Sequence, residues 1–249
     1  MDIKIKVRNL YKIFKTDNGD LSVLEGLNLD VYNKEFVSIV GPSGCGKTTF
    51  LSIIAGLETV TSGAVYLDGK EITGPSWERG VIFQEDSILP WRTVKKNIQY
   101  GLELRGVSKQ IMDERTERFL KLVKLSNFTK FYPKELSGGM KKRVAIASVF
   151  ANNPSVLLMD EPFGGLDYPT KVKLQEATLD IWEKEKKVTL FVTHDIEEAI
   201  FLSERVIILV KGNIIDIIDV PFKRPRKYDI RTCIEMQKLK KKLWSYIEE

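Results

Sequence analysis

Residues 36–57 constrain the fold more than any other stretch of the chain. Phe36-Val37-Ser38-Ile39-Val40 is an apolar run of the length and make-up of a strand buried on both faces. It stops at Gly41-Pro42-Ser43-Gly44-Cys45-Gly46-Lys47-Thr48, and Phe50, Leu51, Ile53, Ile54 and Leu57 then recur at helical spacing, with Gly56 at the expected helix end. The turn matches G-x-x-x-x-G-K-[ST] between a strand and a helix, the context that gives the pattern its meaning. Glycines let the backbone curl so that several N–H groups converge on phosphate oxygens, and the helix aims its positive end at the same point. Lys47 is placed to reach the β- and γ-phosphates of a nucleotide, and the Thr48 hydroxyl to hold Mg²⁺. The predicted nucleotide-phosphate loop is therefore Gly41, Pro42, Ser43, Gly44, Cys45, Gly46, Lys47, Thr48 and Thr49. Cys45 reads either as a tolerated variable position or as a thiol made acidic by the helix start, which nucleotide would shield.

A second acidic feature follows another buried run. Val156-Leu157-Leu158-Met159 ends in Asp160-Glu161-Pro162. In open parallel sheets ligands sit beyond the carboxyl ends of the strands. Asp160 is thus expected to hold Mg²⁺, and Glu161 to orient or deprotonate the water that attacks the γ-phosphate.

Elsewhere Ile3, Ile5 and Val7 alternate with basic residues, as in a half-buried strand, and Asp17-Asn18-Gly19-Asp20 is a turn signal. Residues 63–83 are expected to hold two short strands. From about 93 to 150 charged, Leu-rich helical patterns dominate, such as Met112 to Leu125. Val188 to Val192 is another buried strand, while Val206 to Val210 and Ile214 to Ile218 are expected at the sheet edge. The pattern predicts an α/β core interrupted by a helical insertion, with a tail at 219–249 that is irregular and then helical.

The bulk properties agree with an ordinary folded chain. Charged residues make up 29% and hydrophobic ones 43%, which excludes collagen-like, disordered and disulfide-scaffold classes. The net charge of +5 is compatible with phosphates, nucleic acid or an anionic membrane. Lys238, Lys240, Lys241 and Lys242 concentrate part of it, as a solvated helix face or a lipid contact. Two cysteines, Cys45 and Cys233, make no disulfide framework, and a reducing compartment fits. No apolar run reaches the roughly 18–20 residues of a membrane span, and Met1 to Arg8 lacks the apolar region of a signal peptide. At a membrane, another chain would have to hold this one.

A phosphate loop alone leaves GTPases, kinases, helicases and cassette ATPases open. Asn33-Lys34 is followed by Glu35-Phe36, so the guanine-reading Asn-Lys-x-Asp is absent there. Leu136-Ser137-Gly138-Gly139-Met140 separates the rest, because it resembles the signature motif of the ATP-binding cassette (ABC) family, usually Leu-Ser-Gly-Gly-Gln. Ser137 and two glycines also make a good helix start, a second end suited to phosphate. The resemblance covers nearly all of residues 3–215. It implies a P-loop NTPase (RecA-like) α/β core with an antiparallel β subdomain and an inserted helical subdomain at about 93–150, within an ATPase domain at 1–218. It implies that Ser137, Gly138, Gly139 and Met140, with Asp167 of Gly165-Leu166-Asp167, meet the ATP of a partner subunit in an ATP-dependent homodimer. Gln84 matches the glutamine that touches Mg²⁺ and the attacking water. His194, in Thr193-His194-Asp195, matches the switch histidine on the γ-phosphate, and Asp195 to Glu198 has the spacing of a capping box. Phe14 matches the aromatic that stacks on adenine, with Tyr11 as the fallback. Lys47, Gln84, Glu161 and His194 form the implied catalytic set, with ATP and Mg²⁺ as cofactors. Met140, Ser148 and Gly165 depart from the commoner Gln, Arg and Ala. His194 is the chain's one histidine, and no His or Cys cluster has metal-ligand spacing.

Ile88-Leu89-Pro90-Trp91-Arg92-Thr93-Val94 resembles a stretch of the importer ATPases for nitrate, sulfonate and taurine, as does Arg224-Pro225-Arg226. The competing reading of Trp91 is a packed loop aromatic. The resemblance implies an ATP-hydrolysing importer subunit peripheral to the cytoplasmic face of the inner membrane. Permease subunits would dock near Gln84 to Val94, and a substrate-binding protein would act indirectly. One alternative is a soluble cassette ATPase acting on nucleic acid, the ribosome or another protein complex; a second is a partner-driven cassette ATPase for iron–sulfur assembly or lipoprotein release, without solute import. The importer reading expects no nucleic acid.

Overall fold

A computed structural model describes residues 2–17, 19–85 and 87–247. Asn18 of the expected turn, Asp86 of the expected docking stretch and the last two residues of the tail lie outside the described residues. The chain falls into two compact units, one of residues 1–76, 158–160 and 186–249, the other of residues 77–157 and 161–185.

The first unit holds two sheets. Strands β1 (Ile3–Thr16) and β2 (Gly19–Tyr32) pair antiparallel, with Ile5 opposite Val31 and Val7 opposite Leu29. These four side chains are buried, so the alternation seen from Ile3 onward has an apolar face inside. β4 (Ser62–Leu67) pairs antiparallel with β1, and the two-residue β5 (Lys70–Glu71) with β4. In the other sheet β3 (Phe36–Val40) lies parallel to both β8 (Val188–Val192) and β9 (Arg205–Val210). All five residues of β3 and all five of β8 are buried. Phe36 and Phe191 meet with ring centroids 6.0 Å apart, and each such buried side chain contributes about 1.5–3 kcal/mol. β10 (Asn213–Asp219) closes this sheet, antiparallel to β9. β9 is therefore not an edge strand, contrary to the sequence expectation. It lies between β3 and β10 and buries Val206, Ile207, Ile208 and Leu209, whereas β10 keeps the half-exposed alternation of an edge. Helices α1 (Lys47–Ala55), α6 (Ile196–Leu202) and α7 (Ile234–Ser245) belong to this unit.

The second unit contains β6 (Arg79–Ile82), α2 (Val94–Leu104), α3 (Lys109–Leu122), α4 (Gly138–Ala151) and α5 (Tyr168–Glu185). Residues 63–83 thus hold three strands rather than two, the extra one being the short β5 behind the Asp68-Gly69 turn. β7 (Val156–Asp160) contributes its first two residues to this unit and its last three to the other. Glycines permit close packing here: a Cβ on Gly101 would lie 2.3 Å from the Asn152 amide, and one on Gly80 2.5 Å from Val149. Asn97 binds the loop before α2 through the backbone of Leu89, Arg92 and Thr93, at 2.7–3.1 Å. Thr93 caps α2 by accepting from the Lys96 N–H.

Candidate functional site

The phosphate loop is built in the first unit from backbone choices only glycine allows. Gly44 and Gly46 have φ of 77° and 102°, in the left-handed region. A Cβ on Gly46 would come within 2.8 Å of the Val23 carbonyl oxygen, and one on Gly41 within 1.9 Å of the Leu209 carbonyl oxygen. The loop is thereby clamped between β2 and β9. Gly46 immediately precedes α1, whose start has no side-chain cap and no acidic residue in its first turn. Its positive end is therefore left uncompensated by its own side chains. Lys47 is buried, with Nζ donating to the carbonyl oxygens of Gly41 at 2.8 Å and Pro42 at 2.7 Å. Ser43, Gly44 and Thr48 are exposed.

Cys45 sits beneath this loop at 6% exposure. Burial pushes its thiol above the usual range, and the nearby Lys47 ammonium, 3.8 Å from Sγ, pulls it down by less. The acidic-thiol reading therefore fails, because desolvation of the thiolate outweighs the helix start and the cation.

β3 and β8 run parallel, so their carboxyl ends reach one sheet edge, where Gly41 leaves β3 and Thr193-His194 leave β8. The Thr193 N–H donates to the Ile39 carbonyl at 3.2 Å. β7 follows β8 in the strand order and ends at the buried Asp160. His194 is exposed and precedes the cap of α6. Asp195 accepts there from the N–H groups of Glu197 and Glu198 at 2.9 and 3.3 Å. The capping box is modified: Glu198 pairs with the Thr193 hydroxyl at 2.7 Å, and that hydroxyl accepts from the Asp195 N–H at 3.0 Å. Phe14 is half-buried on β1, with the Lys12 ammonium 4.6 Å from its ring centroid and paired with Glu58 at 2.8 Å. Nothing in the sequence marked Lys12 as a neighbour of Phe14. Tyr11 packs against Gly26, where a Cβ would stand 2.8 Å from its hydroxyl.

The second unit gathers the other candidates. Glu161 has φ of 43°, unusual for a side chain with a Cβ, and its carbonyl accepts from the Gly164 N–H at 3.0 Å. The Gln84 side chain comes beside the same turn, 3.8 Å from where a Gly164 Cβ would lie. Lys142, which carried no sequence signal, donates to the Gln84 carbonyl. Ser137 caps α4 by accepting from the Met140 N–H at 3.3 Å. A Cβ on Gly138 would lie 3.9 Å from Leu166, and one on Gly139 2.7 Å from Thr170, so the segments 137–139 and 166–170 are neighbours. Asp167 is held below the usual carboxylate range by the Thr170 hydroxyl and then by the Thr170 N–H, which it accepts at 3.1 Å. Trp91 is 72% exposed and so is not a packed loop aromatic.

Among the described residues, no group of three or more His, Cys, Asp or Glu could hold a metal, and no helix is long and apolar enough to cross a membrane.

Comparisons with known proteins agree with this geometry. The family described as ABC transporter matches residues 24–164, more than half of the chain. An uncharacterized ABC transporter ATP-binding protein of Methanocaldococcus jannaschii is 48% identical, across 100% of this chain and 93% of its own length. A nitrate import ATP-binding protein of Synechocystis is 46% identical, across 82% of this chain and 77% of its own. An aliphatic sulfonates import ATP-binding protein of Bacillus thuringiensis is 43% identical, across 98% and 96%. Among solved structures, a dimeric ATP-binding cassette in a post-hydrolysis state, bound to ADP and Pi, superposes with a TM-score of 0.78 at 32% identity, covering 88% of this chain and 100% of that one. A loop shaped for phosphate, a signature helix start and matches running nearly end to end converge on one conclusion: the chain belongs to the ABC transporter family, as an ATP-binding subunit that hydrolyses ATP.

Proposed function

We propose that this subunit powers an importer of a small solute, with a nitrate-, sulfonate- or taurine-like anion as cargo. One observation carries the importer reading. Trp91 stands exposed on a loop that Asn97 pins through four hydrogen bonds, in the stretch where the importer group docks its permease. A large apolar surface side chain on a firmly held loop fits an anchor for a protein partner. The full-length similarity to a sulfonate import protein supports the same reading. Residues 1–218 form the ATPase domain in this scheme, with the helical part at about 93–150 and the tail at 219–249. The subunit works at the cytoplasmic face of the inner membrane.

In the proposed cycle, Phe14 stacks on adenine and residues 41–49 take the phosphates of ATP. The exposed Thr48 hydroxyl and the Asp160 carboxylate, with Gln84, are the residues suited to Mg²⁺. Hydroxyl, carboxylate and amide oxygens are the hard donors that such a cation would take. Bound there, Mg²⁺ supplies charge neutralisation of the β- and γ-phosphates. Lys47 turns its ammonium from the loop carbonyls to those oxygens. Glu161 takes a proton from water as the water oxygen bonds to the γ-phosphorus and the bond to the bridging oxygen breaks, giving ADP and phosphate. His194 holds the γ-phosphate oxygens. Ser137, Gly138, Gly139 and Met140, with Asp167, serve the ATP of the second copy, so turnover waits for dimer closure and is thereby tied to transport.

The test is co-purification from membranes. The tagged full chain should bring down a polytopic membrane subunit, and Trp91→Ala should lose that partner while still binding ATP. Retention of the partner by Trp91→Ala would remove the docking role. Capture of RNA or ribosomes, released by salt, would favour the soluble alternative.

A further inference from the structure

The cycle above leaves residues 220–247 unused, yet this segment grips one helix at both ends. At the C-terminal end of α6, buried Arg226 donates to the carbonyl oxygens of Ile200 at 2.9 Å, Phe201 at 3.0 Å and Ser203 at 2.8 Å, and Arg224 donates to that of Leu202. These include the last carbonyls of the helix, which lack partners within it. At the other end, Glu197 in the first turn of α6 accepts from Arg231 at 2.8 Å and from Lys240 at 2.8 Å. The Arg231 guanidinium also lies 3.9 Å from the Phe201 ring centroid. Met236 and Leu243 of α7 are fully buried in a cluster with Ile196, Ala199 and Ile200. Tyr246 donates to Asp216 of β10 at 2.8 Å and fixes the far end of α7.

The grip matters because of where α6 begins. The helix has only seven residues, too few to be stable by itself. Its cap, Asp195, adjoins His194. A cavity of about 500 Å³, lined by His194, Gln237, Lys241 and Trp244 among others, opens between the His194 loop and α7. The loop is thus not packed solid on that side, and the first turn of α6 fixes where the imidazole starts.

We propose that Glu197, Arg231 and Lys240 are positioning residues for ATP hydrolysis: through this ion cluster the C-terminal segment holds the first turn of α6, and with it His194, in place for turnover. The inference rests on the catalytic reading of His194 given above. Two cations converge on one partly buried carboxylate, so the loss of either loosens the link without removing a residue that touches ATP.

The full chain provides its own probe, because His194 is the sole histidine and gives one set of imidazole signals. Lys240→Met keeps the side-chain stem and removes the charge. It should lower kcat by about three- to tenfold with KM for ATP within about twofold, and should shift or broaden the imidazole signal. Lys240→Arg should restore both, and Glu197→Gln should behave like Lys240→Met. Full kcat and an unmoved imidazole signal in Lys240→Met and Glu197→Gln, with His194→Ala inactive, would overturn this inference alone. Normal turnover in His194→Ala would overturn the reading beneath it as well. A fall in kcat with no change at the imidazole would mark general destabilisation and count against the positioning role.

Discussion

The segments 137–139 and 166–170 are held at a distance that only a glycine permits, and this contact yields a quantitative prediction. In Gly139→Ala the new Cβ would stand 2.7 Å from the Thr170 Cγ2. Favourable carbon–carbon contacts lie at about 3.5–4.0 Å, so the methyl groups overlap by about 1 Å. Thr170 cannot easily turn away. Its χ1 is stiff, and both its N–H and its hydroxyl are bonded to Asp167. Overpacking of this kind costs about 1–3 kcal/mol. Against it stands the helix preference for alanine over glycine, at most about 1 kcal/mol and less in the first turn. The net expectation is a loss of about 1–2 kcal/mol. Thr170→Ser removes only the obstructing methyl and keeps the hydroxyl on Asp167, so the double variant should regain most of that loss. Urea unfolding of the four proteins gives the coupling energy directly, expected at about 1 kcal/mol with the sign of relief. Strict additivity, or a Gly139→Ala variant as stable as the parent, would refute the steric argument.

Other consequences are accessible to simpler assays. Glu161→Gln should bind ATP but hydrolyse it at least about a hundredfold more slowly and accumulate as a dimer on size exclusion, whereas Lys47→Ala should lose most nucleotide affinity; near-normal turnover in the first would remove the general-base role. Cys45, buried with its thiol pushed up, should react with iodoacetamide far more slowly than the half-buried Cys233, as read by mass spectrometry; preferential labelling of Cys45 would contradict its burial. Burial alone would raise the Glu197 carboxyl, but the hydrogen bonds from Lys240 and Arg231 outweigh it and hold the group below its ordinary 4.5. A depressed acid stabilises the fold above its unfolded pKa and loses that contribution as pH falls through the folded one. Melting temperature should therefore drop as the pH is lowered below about 4.5, and Glu197→Gln should flatten that limb; an identical acid limb in both proteins would show that the carboxylate contributes nothing.

The strand–loop–helix at 36–57 was legible because its constraints are local. Each glycine answers to the backbone around it, such as Gly46 with φ of 102°, and the apolar runs carry their own burial. The order of strands carries no such local mark. Val206 to Val210 reads equally well as an edge or as a centre, and the parallel pairing with β3, between residues more than 160 apart in the chain, decides it. Gln84 was identified by its place in a motif, but nothing nearby in sequence showed that Lys142 donates to its carbonyl. The ion cluster around Glu197 escaped for a related reason. Lys240 lies 43 residues further along, and a lysine run there is indistinguishable from a solvated helix face until Met236 and Leu243 turn inward. The same arrangement restricts the lipid-contact reading of those lysines: Lys240 is already committed to Glu197, so an anionic surface could recruit it only by loosening the first turn of α6. Lys238, Lys241 and Lys242 are exposed and could meet such a surface without that cost. Any membrane contact by this tail should therefore depend on those three, and Lys240→Met should leave it intact while slowing turnover.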